Sequence, residues 1–139
     1  MRVVLDTNVI IAAFASRGLC SEVFEVCLSG HSVITSEFIL SEVRGKLFQK
    51  IRLPQAIVQN IITYLRDTSE IVRPEPINEL VCRDKDDNFI IGTALGGKVK
   101  LIITGDKDLL SLEKYKGIKI VTPREFWNLL TLKERKDKS

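Results

Sequence analysis

One histidine, His31, and three cysteines, Cys20, Cys27 and Cys82, are the only soft metal ligands in this 139-residue chain. The cysteines are odd in number and form no C-x-x-C pair. A structural zinc site needs four Cys or His ligands at close spacing, so this pattern argues against one. The cysteines read instead as reduced thiols packed like small apolar side chains, which fits an intracellular, cytoplasmic setting. Long hydrophobic runs are also missing. None approaches the roughly 18 residues of a membrane span. Asp6 and Asn8 break the first apolar run before it resembles a secretory leader. No internal repeat and no linker divides the chain. A single domain is expected over residues 1–132, followed by the charged tail "KERKDKS" at 133–139, solvated and fraying.

Hydrophobic residues make up 45% of the chain and charged residues 28%, the balance of a globular domain with a real core. Lys and Arg number 21 against 18 Asp and Glu, a net charge of +3. Such a mild excess permits a nucleic-acid partner without arguing for one.

Short apolar runs alternate with helical patterns. Strands are expected at residues 3–5, 32–35, 70–72, 101–104 and 118–121. Between them, apolar residues recur at helical spacing over about 9–15, 20–28, 36–48, 54–67 and 87–95. A short helix follows Gly105, and a last helix follows Thr122 and Pro123. Ser36 is a candidate N-cap, as is Thr122. The strands are short, apolar and without polar alternation, as in a parallel sheet covered on both faces. The expected fold is α/β: a three-layer arrangement with a central five-stranded parallel sheet flanked by helices. In such folds ligands bind beyond the carboxyl ends of the strands, where the strand order reverses.

Several acids fall at that edge. Asp6 ends the first strand, and Asp106 lies just past the fourth, after Thr104 and Gly105. Either one alone reads equally well as a helix cap. Asp87 shares a helical face with Ile90, Ile91 and Ala94, so it heads the buried side of its helix. Asp86 is the other candidate for that position. Glu42 borders the apolar stripe of the 36–48 helix; its bland reading is a surface pair with Lys46. Glu37, in the first turn, reads as a partner of the helix dipole. The run D-K-D-D-N fails as a calcium loop, because Phe89 stands where glycine is needed and Leu95 where glutamate is needed.

If Asp6, Glu42, Asp87 and Asp106 converge, four carboxylates share one cleft and repel strongly. Either some are protonated or a cation holds them. Few positive side chains lie beside them in sequence, Lys107 and Arg83 among them, though distant ones could approach in the fold. All-oxygen ligands suit Mg²⁺ or Mn²⁺. Such clusters usually handle phosphate.

With "VVLDTNVII", "SEFILSEVRGKL", "RDKDDNFIIGTAL" and "LIITGDKDLL" in this order, nearly the whole chain resembles the PIN domain family. These are metal-dependent ribonucleases that include the VapC-like toxins of many prokaryotic toxin–antitoxin pairs. The resemblance implies a five-strand parallel sheet. It implies metal-binding and catalytic acids at Asp6, Glu42, Asp87 and Asp106, with the third open between Asp86 and Asp87. Asn8 and Thr104 match polar positions near the metal, and Asp108 a further, less constant acid. On this reading Asp6, Asp87 and Asp106 hold Mg²⁺ or Mn²⁺, and Glu42 positions a second metal or the attacking water for hydrolysis of RNA. Arg44, Lys46 and Lys107 are candidate RNA contacts, though solvated surface charge is the plainer reading. An antitoxin partner and a homodimer are further implications.

Two rivals stand beside this reading. A phosphoacceptor signalling domain also gathers acids at strand ends around Mg²⁺, but no clear Lys follows a later strand except Lys107. A catalytically silent PIN-like module would bind nucleic acid or protein; the presence of all four acids speaks against it. Phe126 and Trp127 could serve an interface, but packing of the last helix on the core is expected.

Overall fold

The structure, a computed structural model, describes residues 1–77, 81 and 84–138, with side chains as far as residue 134. Cys82, expected as a packed thiol, and Arg83, expected as a positive charge beside the acids, lie outside the described residues. The elements run β1 (Arg2–Leu5), α1 (Thr7–Ala15), α2 (Leu19–Gly30), β2 (Ser32–Thr35), α3 (Glu37–Gln49), α4 (Gln55–Thr68), β3 (Glu70–Ile71), α5 (Lys85–Gly96), β4 (Leu101–Ile103), α6 (Lys107–Leu110), β5 (Lys114–Tyr115), β6 (Ile118–Val121) and α7 (Pro123–Lys138).

The sheet has the order β3-β2-β1-β4-β6-β5. Five strands are parallel, as expected, but the sheet has six: β5 adds an antiparallel edge, pairing Lys114 with Lys119 and Tyr115 with Ile118. The reason is local. Lys116 and Gly117 both have positive φ, 47° and 82°, the conformation of a two-residue hairpin turn whose twist matches the flanking strands. A two-residue strand carries too little pattern to be read from sequence.

β1 lies at the centre, and its Val3, Val4 and Leu5 are fully buried. From β1 the chain builds outward to β2 and β3, then returns to place β4 and β6 on the other side. The order therefore reverses between β1 and β4, and the crevice beyond their carboxyl ends is the natural binding position. The helix α5 packs on β1, β2 and β4 through Ile90, Ile91 and Ala94, bringing its first turn to that crevice.

Capping follows the sequence. Ser36 Oγ accepts from Ile39 N–H at the start of α3. Thr122 and Glu125 form a reciprocal capping box ahead of α7. Phe126 is fully buried, and Trp127 packs against the core. The backbone of α7 stays helical through Lys138, over the segment expected to fray. No glycine or proline follows Pro123, and the segment is rich in Lys, Glu and Arg, good helix formers.

The loop after β3 crosses α5 at very short range. Glu75 N–H donates to Gly92 C=O at 2.9 Å. A Cβ on Gly96 would lie 2.1 Å from the Arg73 carbonyl oxygen, and one on Gly92 2.6 Å from that of Glu75. Both obstacles are backbone, so relief requires the loop to move. Gly96→Ala is expected to destabilise the fold by about 1–3 kcal/mol, the usual cost of overpacking. Thermal denaturation followed by circular dichroism measures it; an unchanged midpoint would show the loop to be loosely seated.

Candidate functional site

The end of β1 is tied to β4 by the Asp6 N–H, which donates to Ile103 C=O at 3.0 Å. This places the Asp6 carboxylate beside Thr104. The Thr104 hydroxyl, fully buried, donates to Asp6 Oδ2 at 2.6 Å and accepts from Asp106 N–H at 3.0 Å. One hydroxyl thus fixes both strand-end acids. Asp106 caps α6: its Oδ1 accepts from Asp108 N–H at 2.8 Å and from Leu109 N–H at 3.2 Å. Capping and site readings coexist here, since the carboxylate has a second oxygen.

The helix α5 starts two residues earlier than expected, capped by Asp84, whose Oδ1 accepts from Asp86 N–H. Asp87 consequently falls in the first turn, where it is only 6% exposed. Its Oδ2 is buried with no hydrogen-bond partner among the described residues. Carboxylate oxygens of Asp87, Asp106 and Asp108 lie within 4.8 Å of one another. Asp86 is exposed at the rim of the same cleft. Burial and proximity therefore separate the two neighbours that sequence left open, with Asp87 turned into the cluster.

Glu42, half-buried in α3, accepts from the Thr7 hydroxyl at 2.9 Å. Lys46, one turn further, donates to Asn8 Oδ1 at 3.0 Å, so the hydrogen bonds of Glu42 and Lys46 go to the start of α1, while the Lys46 charge still acts on Glu42. Asp6, Thr7, Asn8, Glu42, Lys46 and Asp87 line a cavity of about 190 Å³, with Asp84, Asp86, Asp106 and Ile90 completing it. Asp108 stands beside Asp87 and Asp106 without lining that cavity. Arg44 and Lys107 are exposed and do not line it. Glu37 is paired with Arg66 and lies outside it.

Charge is strained at this site. Burial, and then the charges of Asp106, Asp84, Asp6 and Asp108, push the Asp87 carboxyl up to about 7. Burial also raises Asp6, aided by Asp106, while hydrogen bonds from Thr104 and the Thr7 backbone and the charge of Lys46 hold it down. Glu42 is raised by burial and by Asp86 and Asp6, against the Thr7 hydrogen bond and Lys46. Carboxylates packed this closely, one of them pushed up to about 7, form an arrangement that a bound cation would relieve. The donors are all oxygen, and Asp87 Oδ2 has no partner among the described residues, so the residues suit a hard divalent cation such as Mg²⁺ or Mn²⁺. Two residues of the cleft escaped the sequence reading. Thr7 lies ahead of the expected 9–15 helix and carries no charge to mark it, although it directly follows Asp6. Asp84 was hidden as one of three acids in a charged run.

A parallel α/β sheet with a carboxylate cluster at its switch point defines the class. The PIN domain family model matches residues 2–108, and the chain belongs to this family. An uncharacterised protein of Methanocaldococcus jannaschii is 38% identical, over 91% of this chain and 89% of that protein. Among solved structures, VapBC2 from Rickettsia felis bound to a DNA fragment from its promoter is similar in fold. Its TM-score is 0.62 at 12% identity, covering 88% of this chain and 98% of that one. VapBC-1 from nontypeable Haemophilus influenzae also has a TM-score of 0.62, at 18% identity, over 89% and 99% of the two chains. Among the described residues no helix is long and apolar enough to cross a membrane.

Proposed function

We propose that this chain is a divalent-cation-dependent endoribonuclease acting as the toxin of a toxin–antitoxin pair in the cytoplasm. The observation that carries the reading is Asp87, buried among like charges with an oxygen that no described residue meets. Asp6, Asp87 and Asp106, with Asp108 beside them, would hold Mg²⁺ or Mn²⁺. Bound there, such a cation polarises a phosphoryl oxygen and lowers the pKa of water.

The chain's own groups supply the rest. Thr104 fixes the relative position of Asp6 and Asp106. Glu42, oriented by Thr7, positions the attacking water. Lys46, held by Asn8 at the cavity wall, meets the phosphate backbone, while exposed Arg44 and Lys107 attract RNA at longer range. The toxin assignment is supported by the likeness in fold to two VapBC structures, and it brings with it an antitoxin partner and a homodimer.

Incubation of a mixed RNA pool with Mg²⁺ or Mn²⁺, with and without EDTA, tests the reading. Internal cleavage that EDTA abolishes is the expected result, with end mapping to locate the cut. Intact RNA under all conditions, together with no bound Mn²⁺ on titration, would instead favour the silent binding module.

A further inference from the structure

Beside the acidic cleft lies an apolar groove of about 480 Å³ that the reading above does not use. Its walls include Phe38, Phe89, Ile71, Val72, Arg73 and Pro74. Phe38 and Phe89 stack face to face, with ring centroids 4.3 Å apart and planes inclined by 16°. Phe89 is 45% exposed. Phe38 is half-buried against the core, so the open ring of the pair is that of Phe89.

Its position is specific. Phe38 precedes Glu42 by four residues on α3, and Phe89 follows Asp86 by three on α5, so each ring stands one helical turn from a carboxylate of the cleft. One turn is about 5.4 Å. The opposite wall is formed where residues 73–75 are seated closely on Gly92 and Gly96 of α5. Of its two charged walls, Glu37 is paired with Arg66, whereas Arg73 is exposed. The groove therefore offers a flat aromatic face and a cation beside a phosphate-handling cleft.

We propose that Phe38, Phe89 and Arg73 form a subsite for one unpaired nucleobase of the RNA, adjacent to the phosphate that is cut. This rests on the nuclease reading, and the base it takes must be unpaired, because a base within a duplex cannot present its face to a protein ring. Any base stacks on an aromatic ring, so the subsite favours single strands more than a particular sequence. Arg73 adds attraction for the neighbouring phosphate.

The test uses the full chain and a short single-stranded oligoribonucleotide with a mapped cut, compared with the same oligonucleotide made abasic beside that cut. Phe89→Leu keeps a good helix former at an exposed position, so the fold is retained. It is expected to raise KM for the intact oligonucleotide about 10-fold, within the range for loss of one stacked base, with a much smaller change in kcat. Phe89→Tyr restores KM. On the abasic oligonucleotide wild-type and Phe89→Leu become alike. The proposal is overturned if Phe89→Leu leaves KM unchanged, or if wild-type cuts in an EDTA-sensitive way but ignores the abasic change. It is also overturned if Phe89→Leu turns a dimer into a monomer and recovers full activity at high protein concentration, since the pair then serves a second copy of the chain. If wild-type neither binds nor cuts any oligoribonucleotide, the nuclease reading itself fails, and the subsite with it.

Discussion

Asp106→Asn is expected to cut RNA on the order of 10³-fold more slowly than the unaltered chain while keeping its fold. The magnitude follows from losing one anionic oxygen donor to a cation that contributes several kcal/mol to the transition state. The fold is retained because Asn caps a helix about as well as Asp, and the amide oxygen can still accept from Asp108 N–H and Leu109 N–H. The substitution also withdraws the largest neighbouring charge acting on Asp87, so the Asp87 carboxyl falls from about 7 toward its ordinary range. Cleavage rate, thermal midpoint and Mn²⁺ affinity measured on the same preparation separate these effects. A variant that cuts at the wild-type rate with Mn²⁺ would remove Asp106 from the site.

The parallel sheet was legible because its strands are buried on both faces and so read as uninterrupted apolar runs, such as residues 3–5 and 101–103. Asp6 and Asp106 were legible for a related reason: each is a charge directly beyond such a run. What sequence could not resolve was orientation within a turn. Asp86 and Asp87 are adjacent; the helical spacing to Ile90, Ile91 and Ala94 favours the second, and the start of α5 at Lys85, set by the Asp84 cap, places both in the first turn with Asp87 buried. Contacts across the fold were equally hidden. Lys46 stands four residues from Glu42, yet its hydrogen bond goes to Asn8, 38 residues away. The aromatic pair needed two helices to meet, and nothing in either helix alone marks Phe38 or Phe89.

Divalent cation should govern stability as well as activity, in a direction fixed by the raised carboxyls. In the unfolded chain the Asp87 carboxyl ionises near 3.8, whereas in the fold it does so near 7. Between those values the folded chain binds the extra proton. The stability associated with this group is therefore fully present below pH 3.8 and is lost as pH rises through 7. Raised Asp6 and Glu42 act in the same sense. In EDTA the chain is expected to melt several degrees lower at pH 8 than at pH 5. His31 opposes this trend, because burial lowers its pKa below 6.5 and stability from that group rises with pH. The comparison is therefore made against Asp87→Asn, which keeps His31 and should show a smaller fall or none. Mn²⁺ reverses the effect: at one hundred times Kd a ligand of the folded state stabilises it by about 2.7 kcal/mol, roughly 10 °C for a chain of this size. That gain should be largest at pH 8 and shrink toward pH 5, where protons compete for the same oxygens. A wild-type melting temperature in EDTA that does not fall between pH 5 and 8 would show that these carboxyls are not raised in the fold, and no upward shift on adding Mn²⁺ would show that the cleft holds no such cation.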